Sequence, residues 1–285
     1  MNGNVPLPPT EQRNPASSRL GELDAAGVVA LMNREEYRAL AAVEQAAPLL
    51  ALAAEKVASS LCAGGRIVFI GAGTSGRIAL QETAEMPPTF GVPPDCFVVM
   101  AAGSALMGPT AITRTEDDIQ AARQALDRLR IGPADVVIGL AASGTTPFVR
   151  AGLRAASAAG AWTCGIANNP NAQLLADAEV GILLDTGPEV LTGSTRLKAG
   201  TAQKLALNRI MTAAMVLAGH VAENHMIDIT GSNEKLRRRA IRIVMDLAAL
   251  DEGEARRLLD QAAWSVRDAL RLCHRLGAAA DHPEA

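Results

Sequence analysis

Aromatic side chains are scarce here: Phe, Trp and Tyr make up 2% of the 285 residues, so a core has to be assembled from Ala, Leu, Val and Ile. Cysteine is also sparse. Cys62, Cys96, Cys164 and Cys273 lie far apart and form no CxxC pair, which argues against a zinc site or a redox dithiol. No apolar run reaches the roughly 18 residues of a membrane span. The nearest stretch, Leu205 to Val216, is interrupted by Asn208 and Arg209. Neither sign of charge dominates: 27 basic and 30 acidic residues give a net charge of −3, so nothing points to nucleic acid or an anionic membrane as partner. Met1 to Ser18 is polar and proline-rich and lacks the basic-then-apolar order of a secretion signal. These absences lead us to expect a cytoplasmic protein.

What is present reads as an ordinary globular balance, with 49% hydrophobic and 20% charged residues. A chain of this length can bury one sizeable core, with or without a small appendage. Leu20 to Leu61 has helical spacing, with a polar face at Arg34, Glu35, Glu36 and Arg38. The period then changes. Arg66 to Ile70, Cys96 to Met100, Val136 to Leu140, Trp162 to Ile166 and Val180 to Leu184 are short apolar runs that suit buried parallel strands. The intervals leave room for crossover helices. The expected fold class is therefore α/β, a doubly wound parallel sheet flanked by helices, with ligands at the carboxyl ends of the strands. Gly200 to Val221 reads as a long buried helix. Asn233 to Leu250 reads as a basic amphipathic one whose charges (Lys235, Arg237, Arg238, Arg239, Arg242) form a solvated face. One or two short helices follow over 251–277.

Two loops carry the chemistry. Gly71-Ala72-Gly73-Thr74-Ser75-Gly76-Arg77 follows the first strand and opens a helix. Its glycines let the backbone approach a ligand, and the new helix offers free N–H groups and a positive dipole end to an anion. Thr74 and Ser75 add hydroxyls. The segment also fits G-x-G-x-x-G, but a dinucleotide site expects an acid after the second strand. That strand ends Val99-Met100-Ala101-Ala102-Gly103, without one. The second loop, Ala142-Ser143-Gly144-Thr145-Thr146-Pro147, again follows an apolar strand. Helix N-capping alone could explain one hydroxyl-rich turn; two such turns at one sheet edge favour a shared anion. Ser143 lacks the Gly two residues earlier that a nucleophile elbow needs, that position being Ala141. A third polar segment, Gly187 to Thr201, holds Glu189, Ser194 and Lys198. There Lys198 could neutralise phosphate charge, and Glu189 could bind sugar hydroxyls or order the loop. The four histidines form no metal or triad constellation.

These motifs resemble the N-acetylmuramic acid 6-phosphate etherases of the sugar isomerase (SIS) fold superfamily. The matching stretches are Thr10 to Pro15, Ile70 to Arg77, Pro87 to Gly91, Ala141 to Pro147, Gly187 to Lys204 and Asn233 to Val244, spread over roughly residues 8–275. The resemblance implies a homodimeric lyase without metal or cofactor, with active sites shared between subunits. It would cleave the D-lactyl ether of N-acetylmuramic acid 6-phosphate to N-acetylglucosamine 6-phosphate and D-lactate. Residues 1–18 read as an extended arm, followed by a SIS-type sugar-phosphate-binding domain over 19–230 and a helical segment over 231–285. The phosphate would be held by Gly73, Thr74, Ser75, Ser143, Gly144, Thr145 and Thr146, with Glu189, Ser194 and Lys198 alongside.

The reaction needs a base at C2 and an acid at the departing lactate oxygen. The family's first catalytic glutamate falls on Glu85. A helix from Ser75 carries Glu85 about 15 Å along its axis, so we expect Glu85 to serve a partner subunit's site, or the Pro87–Pro88 turn to fold back. The second catalytic glutamate is replaced by Thr113, which cannot act as a base at neutral pH; Glu116, one helical turn on, could take its place if the segment shifts register. Two alternatives follow from that replacement. One is a non-catalytic sugar-phosphate-binding regulator; the other is a SIS enzyme on a different sugar phosphate with Glu116 or Glu189 as base.

Overall fold

The structure, a computed structural model, describes residues 7–103, 115–229 and 233–280. Three 3-10 turns, Pro9–Glu11, Pro15–Ser17 and Leu20–Glu22, precede the helices α1 (Ala25–Gln45) and α2 (Ala47–Cys62). Then come β1 (Ile67–Gly71), α3 (Gly73–Phe90), β2 (Phe97–Ala101), α4 (Ile119–Leu129), β3 (Val136–Leu140), α5 (Pro147–Ala158), β4 (Trp162–Ala167), α6 (Gln173–Ala176), β5 (Val180–Leu183) and α7 (Lys198–Leu217). A two-stranded ribbon, β6 (Val221–Ala222) and β7 (His225–Met226), leads into α8 (Glu234–Ala248), α9 (Glu252–Gln261) and α10 (Val266–Ala280). Among the described residues no helix is long and apolar enough to cross a membrane.

All five apolar runs form strands, because each can be covered on both faces. They pair in parallel in the order β2-β1-β3-β4-β5. One face buries Val68, Ile70 and Val137 against Ala122 and Leu126 of α4, Val149 and Leu153 of α5, and Leu174 of α6. Helix α2 packs on β1, β3 and β5 and contributes nothing to that cluster, which places it on the opposite face. The sheet is doubly wound, as expected, and its strands are mostly aliphatic, with Phe69, Phe97 and Trp162 as their aromatic residues.

The chain divides into two compact units, Met1–Thr83 with Asp95–Ala214, and Ala84–Pro94 with Met215–Ala285. The helical unit thus begins earlier than the expected residue 231 and includes the end of α3. Its own core is aliphatic: Ile241, Ile243 and Val244 of α8 meet Ala255, Leu258 and Leu259 of α9 and Val266 and Ala269 of α10. Asp228 ties this unit together by accepting from His220 Nδ1 at 2.6 Å and from Arg267.

Two expectations need correction. Within the expected arm, residues 9–17 form two 3-10 turns rather than a plain extended strand, and Thr10 and Asn14 are buried among polar partners described below. The Pro87–Pro88 pair does not turn the chain back: both prolines lie inside α3, which continues to Phe90. Their rings cost the helix two N–H donors, but they fall in its last turn. The helix ends at Gly91, whose φ of +65° is the left-handed conformation of a C-terminal cap, with its N–H donating to the Pro87 carbonyl at 3.0 Å.

Candidate functional site

Strand order decides where a ligand can enter. From β1 the sheet grows one way to β2 and the other way through β3, β4 and β5. A parallel sheet opens a crevice at such a reversal, outside the carboxyl ends of the two central strands. Gly71, the last residue of β1, is in register with Leu140, the last of β3. The two hydroxyl-rich loops therefore leave neighbouring strands, about 4.8 Å apart, at the same level of the sheet.

Both loops need glycine at particular points. A Cβ on Gly71 would stand 2.7 Å from the Gly76 nitrogen, because the first turn of α3 folds directly over the strand end. Gly73 opens α3 at φ +54°. The amides at the start of this 18-residue helix have no intrahelical acceptor, and Ser75 is buried with 6% exposure while Gly73 and Thr74 are half-buried. In the second loop Gly144 has φ +69°, and a Cβ there would lie 2.2 Å from that of Ala172. Ser143 Oγ accepts from the Thr145 N–H (3.2 Å) and hydroxyl (3.1 Å), so its own proton remains free to donate. Thr146 occupies the N-cap of α5 without a side-chain cap bond. Simple capping thus leaves the Thr146 hydroxyl unexplained, which favours the ligand reading of the loop.

The third polar segment is brought to the first loop at one end. A Cβ on Gly200 would sit 3.5 Å from Thr74 Cγ2, so the start of α7 rests on the start of α3. The two helices stay together further along, where Lys204 Nζ (3.1 Å) and Asn208 Nδ2 (2.7 Å) donate to Glu82 Oε2. Ser194 is half-buried in the turn before α7.

Lys198 and Glu189 do not face the loops, which corrects the phosphate and sugar roles expected for them. Lys198 is fully buried, and its ammonium donates to Glu35 Oε2 and to the Pro188 carbonyl, each at 2.7 Å. Burial works against the Glu35 charge, but the bonds from Lys198 and Asn14 outweigh it and hold this carboxyl below its ordinary range. Glu189 is also fully buried and accepts from the Lys198 N–H (3.1 Å) and the Ala199 N–H (2.9 Å), so it caps α7. Of its two expected roles it takes the ordering one. Burial pushes its carboxyl up despite those bonds. Its lack of exposed surface counts against a role as base in the alternative chemistry.

The acid–base candidates lie on different elements. Glu85 is exposed on α3, ten residues beyond Ser75, about 15 Å of helix rise. Thr113 lies outside the described residues. Glu116 is half-buried, and its carbonyl accepts from the Phe148 N–H at 2.9 Å, in the first turn of α5. That bond seats Glu116 directly beyond the Ser143–Thr146 loop. Burial, and secondarily the charge of Asp117, raise its carboxyl above the ordinary value.

Sequence reasoning missed the buried amides beneath the second loop. Asn168 and Asn169 follow β4. The Asn168 N–H donates to the Ala142 carbonyl at 3.0 Å, and Asn169 Nδ2 reaches the carbonyls of Ala142 and Ser143, both at 3.4 Å. Asn168 Oδ1 accepts from Gln203 Nε2 of α7 at 3.0 Å. The available signal was an Asn-Asn pair closing an apolar strand, where polar side chains need buried partners.

Comparison with known proteins places this arrangement. Residues 49–157 match the model of the glucokinase regulatory protein N-terminal SIS domain, and residues 223–275 match the C-terminal lid domain of that protein. A phosphoheptose isomerase from Neisseria gonorrhoeae superposes with a TM-score of 0.50 at 19% identity, covering 68% of this chain and 98% of that one. It shares the SIS fold. Sequence relatives are much nearer. The N-acetylmuramic acid 6-phosphate etherase of Cutibacterium acnes is 44% identical over 264 residues, 93% of this chain and 87% of that protein. The protein of the same name from Deinococcus radiodurans is 43% identical over 261 residues, 92% of this chain and 86% of that protein. At this identity and coverage, the chain belongs to the N-acetylmuramic acid 6-phosphate etherase family.

Proposed function

We propose that the chain is a carbon–oxygen lyase that removes the lactyl group of N-acetylmuramic acid 6-phosphate, giving N-acetylglucosamine 6-phosphate and D-lactate. The observation that carries this reading is the pair of hydroxyl-bearing glycine turns on β1 and β3, side by side at the reversal point of the sheet, in a chain of this family. The 6-phosphate takes the amides of Gly73, Thr74 and Ser75 and the hydroxyls of Thr74, Ser75, Ser143, Thr145 and Thr146. Gly144 permits the close approach, and Ser194 borders the sugar.

Abstraction of the C2 proton of the open-chain aldehyde and departure of lactate from C3 leave an unsaturated aldehyde, to which water adds at C3. Glu116 serves as the base at C2. Its backbone is bonded to the first turn of α5 next to the phosphate loop, and burial raises its carboxyl above the ordinary value, which makes it a stronger base once ionised. Glu85 supplies the acid from the partner subunit of a homodimer. The continuation of α3 through Pro87 and Pro88 supports that assignment, since those prolines make no turn that would return Glu85 to Ser75. Exposed Val29, Tyr37 and Leu40 on α1, beside an apolar groove of about 510 Å³ lined by Leu40, Val43, Leu50 and Ala213, support a second copy as the partner. The site of action is the cytoplasm, whose reducing conditions suit four unpaired cysteines.

Lactate release from N-acetylmuramic acid 6-phosphate by the purified protein, beside Glu85→Gln and Glu116→Gln, tests the proposal. Release that falls at least a hundredfold in each variant is expected. The threonine at position 113 favours one other reading, a sugar-phosphate sensor. Tight binding of the sugar phosphate without lactate release would establish it in place of the lyase.

A further inference from the structure

The second phosphate loop is held from below by an element far away in sequence. Thr10 is fully buried in the first 3-10 turn, and it makes two bonds to Asn169, which is 2% exposed. The Thr10 N–H donates to Asn169 Oδ1 at 3.1 Å, and Asn169 Nδ2 donates to Thr10 Oγ1 at 2.9 Å. A carboxamide is nearly symmetric in shape, so its partners decide which end points where. Here both ends are assigned by one residue. With Oδ1 turned to the Thr10 N–H, Nδ2 faces the loop carbonyls of Ala142 and Ser143. An anion site needs its carbonyls turned away and its N–H and O–H groups turned inward, because a carbonyl oxygen facing a phosphate repels it.

The same short segment is fixed a second time. Asn14 Nδ2 donates to Glu35 Oε2 at 2.6 Å and to the Pro188 carbonyl at 3.1 Å, joining the Glu35–Lys198 pair at the root of α7. Residues 10–14 therefore bridge the loop after β3 and the segment that leads to the Thr74 side of the crevice.

We infer that Thr10 is a positioning residue of the phosphate site, acting through Asn169 to keep the carbonyls of Ala142 and Ser143 out of the anion's reach. This inference rests on the phosphate reading of the Ser143–Thr146 loop. It adds a role for the turn that carries Thr10.

The test compares wild type, Thr10→Val and Thr10→Ser. The quantities are KM and kcat for N-acetylmuramic acid 6-phosphate and the inhibition constant of inorganic phosphate. Titration with N-acetylglucosamine 6-phosphate replaces the kinetics if turnover is absent. Loss of one buried bond predicts a rise of about five- to tenfold in KM and in the phosphate constant alike, with kcat within twofold and both constants restored by serine. A merely structural role would lower the melting temperature and leave the phosphate constant unchanged, and that result overturns the inference alone. Wild-type protein with no affinity for the sugar phosphate or for inorganic phosphate overturns the phosphate reading and the inference with it. Should the valine variant not fold, Thr10→Ala is read the same way.

Discussion

Replacing Lys198 by methionine separates a core strut from a phosphate ligand, the two roles this cation could have had. In the structure the ammonium is fully buried and bonded to Glu35, itself 7% exposed. Methionine fills much of the lysine's volume but leaves the Glu35 carboxylate buried with only Asn14 and the half-exposed Arg38 as partners. Removing one partner of a buried ion pair costs about 3–5 kcal/mol, because the remaining charge stays desolvated. For a unit of roughly 200 residues each kcal/mol moves the melting temperature by about 2–4 °C, so a loss of about 6–20 °C is expected. The pH dependence has a definite sign. The Glu35 carboxyl is held below its ordinary value of 4.5. The pair therefore contributes stability that is present above that value and lost as pH falls through the lower folded one. Lys198→Met should flatten this acid-side loss, and adding Glu35→Gln should recover part of the stability, since the stranded charge is then gone. Melting curves of the two single variants and the double variant between pH 3 and 8 supply the comparison. A Lys198→Met protein that melts like wild type but binds sugar phosphate tenfold more weakly would refute the reasoning and return Lys198 to the phosphate.

Gly144→Ala places a side chain at φ +69° and within 2.2 Å of the Ala172 Cβ. The left-handed conformation alone costs about 1–2 kcal/mol, so urea unfolding should show a larger loss than that, with sugar-phosphate affinity falling as well. Glu116, raised by burial and by Asp117, works as a base only when ionised. In wild type kcat/KM should rise with pH through that raised value, and Glu116→Gln should lose the ascending limb along with most of its rate. Because the folded state favours the protonated carboxyl, its ionisation at neutral pH opposes folding. Glu116→Gln should therefore melt no lower than wild type at pH 7, and a lower melting point would contradict the burial argument. Tyr37→Glu puts a charge on the exposed apolar row of α1, where Tyr37 is 73% exposed. Light scattering should find wild type as a dimer and the variant as a monomer, with activity lost because Glu85 no longer reaches a neighbour.

The sheet was legible in the sequence for a simple physical reason. A strand buried on both faces has to be apolar at every position; the run Ile67-Val68-Phe69-Ile70, fully buried, cannot be mistaken for a surface element. The loops were legible because glycine and hydroxyl side chains after such runs have few other uses. The opening turns were not, because Thr10 and Asn14 look like solvent-facing polar residues until their partners, 159 and 174 residues away, are known. Lys198 and Glu189 misled for the same reason: a charge reads as exposed unless its counter-charge or capped amides are visible, and these come together only in the fold. The Pro87–Pro88 pair reads as a helix stop, but prolines in a last turn forfeit only two bonds, and α3 keeps the rest of its ladder. The match over residues 10–15 signalled a shared segment and said nothing of its packing.

The most direct test of the central claim is to run the reaction in D2O and follow both products of N-acetylmuramic acid 6-phosphate by proton NMR. Elimination through C2 followed by addition of water predicts one equivalent of D-lactate per sugar, and N-acetylglucosamine 6-phosphate carrying deuterium at C2. Full retention of the C2 proton in the product, or no lactate from a protein that binds the sugar phosphate, would contradict the account.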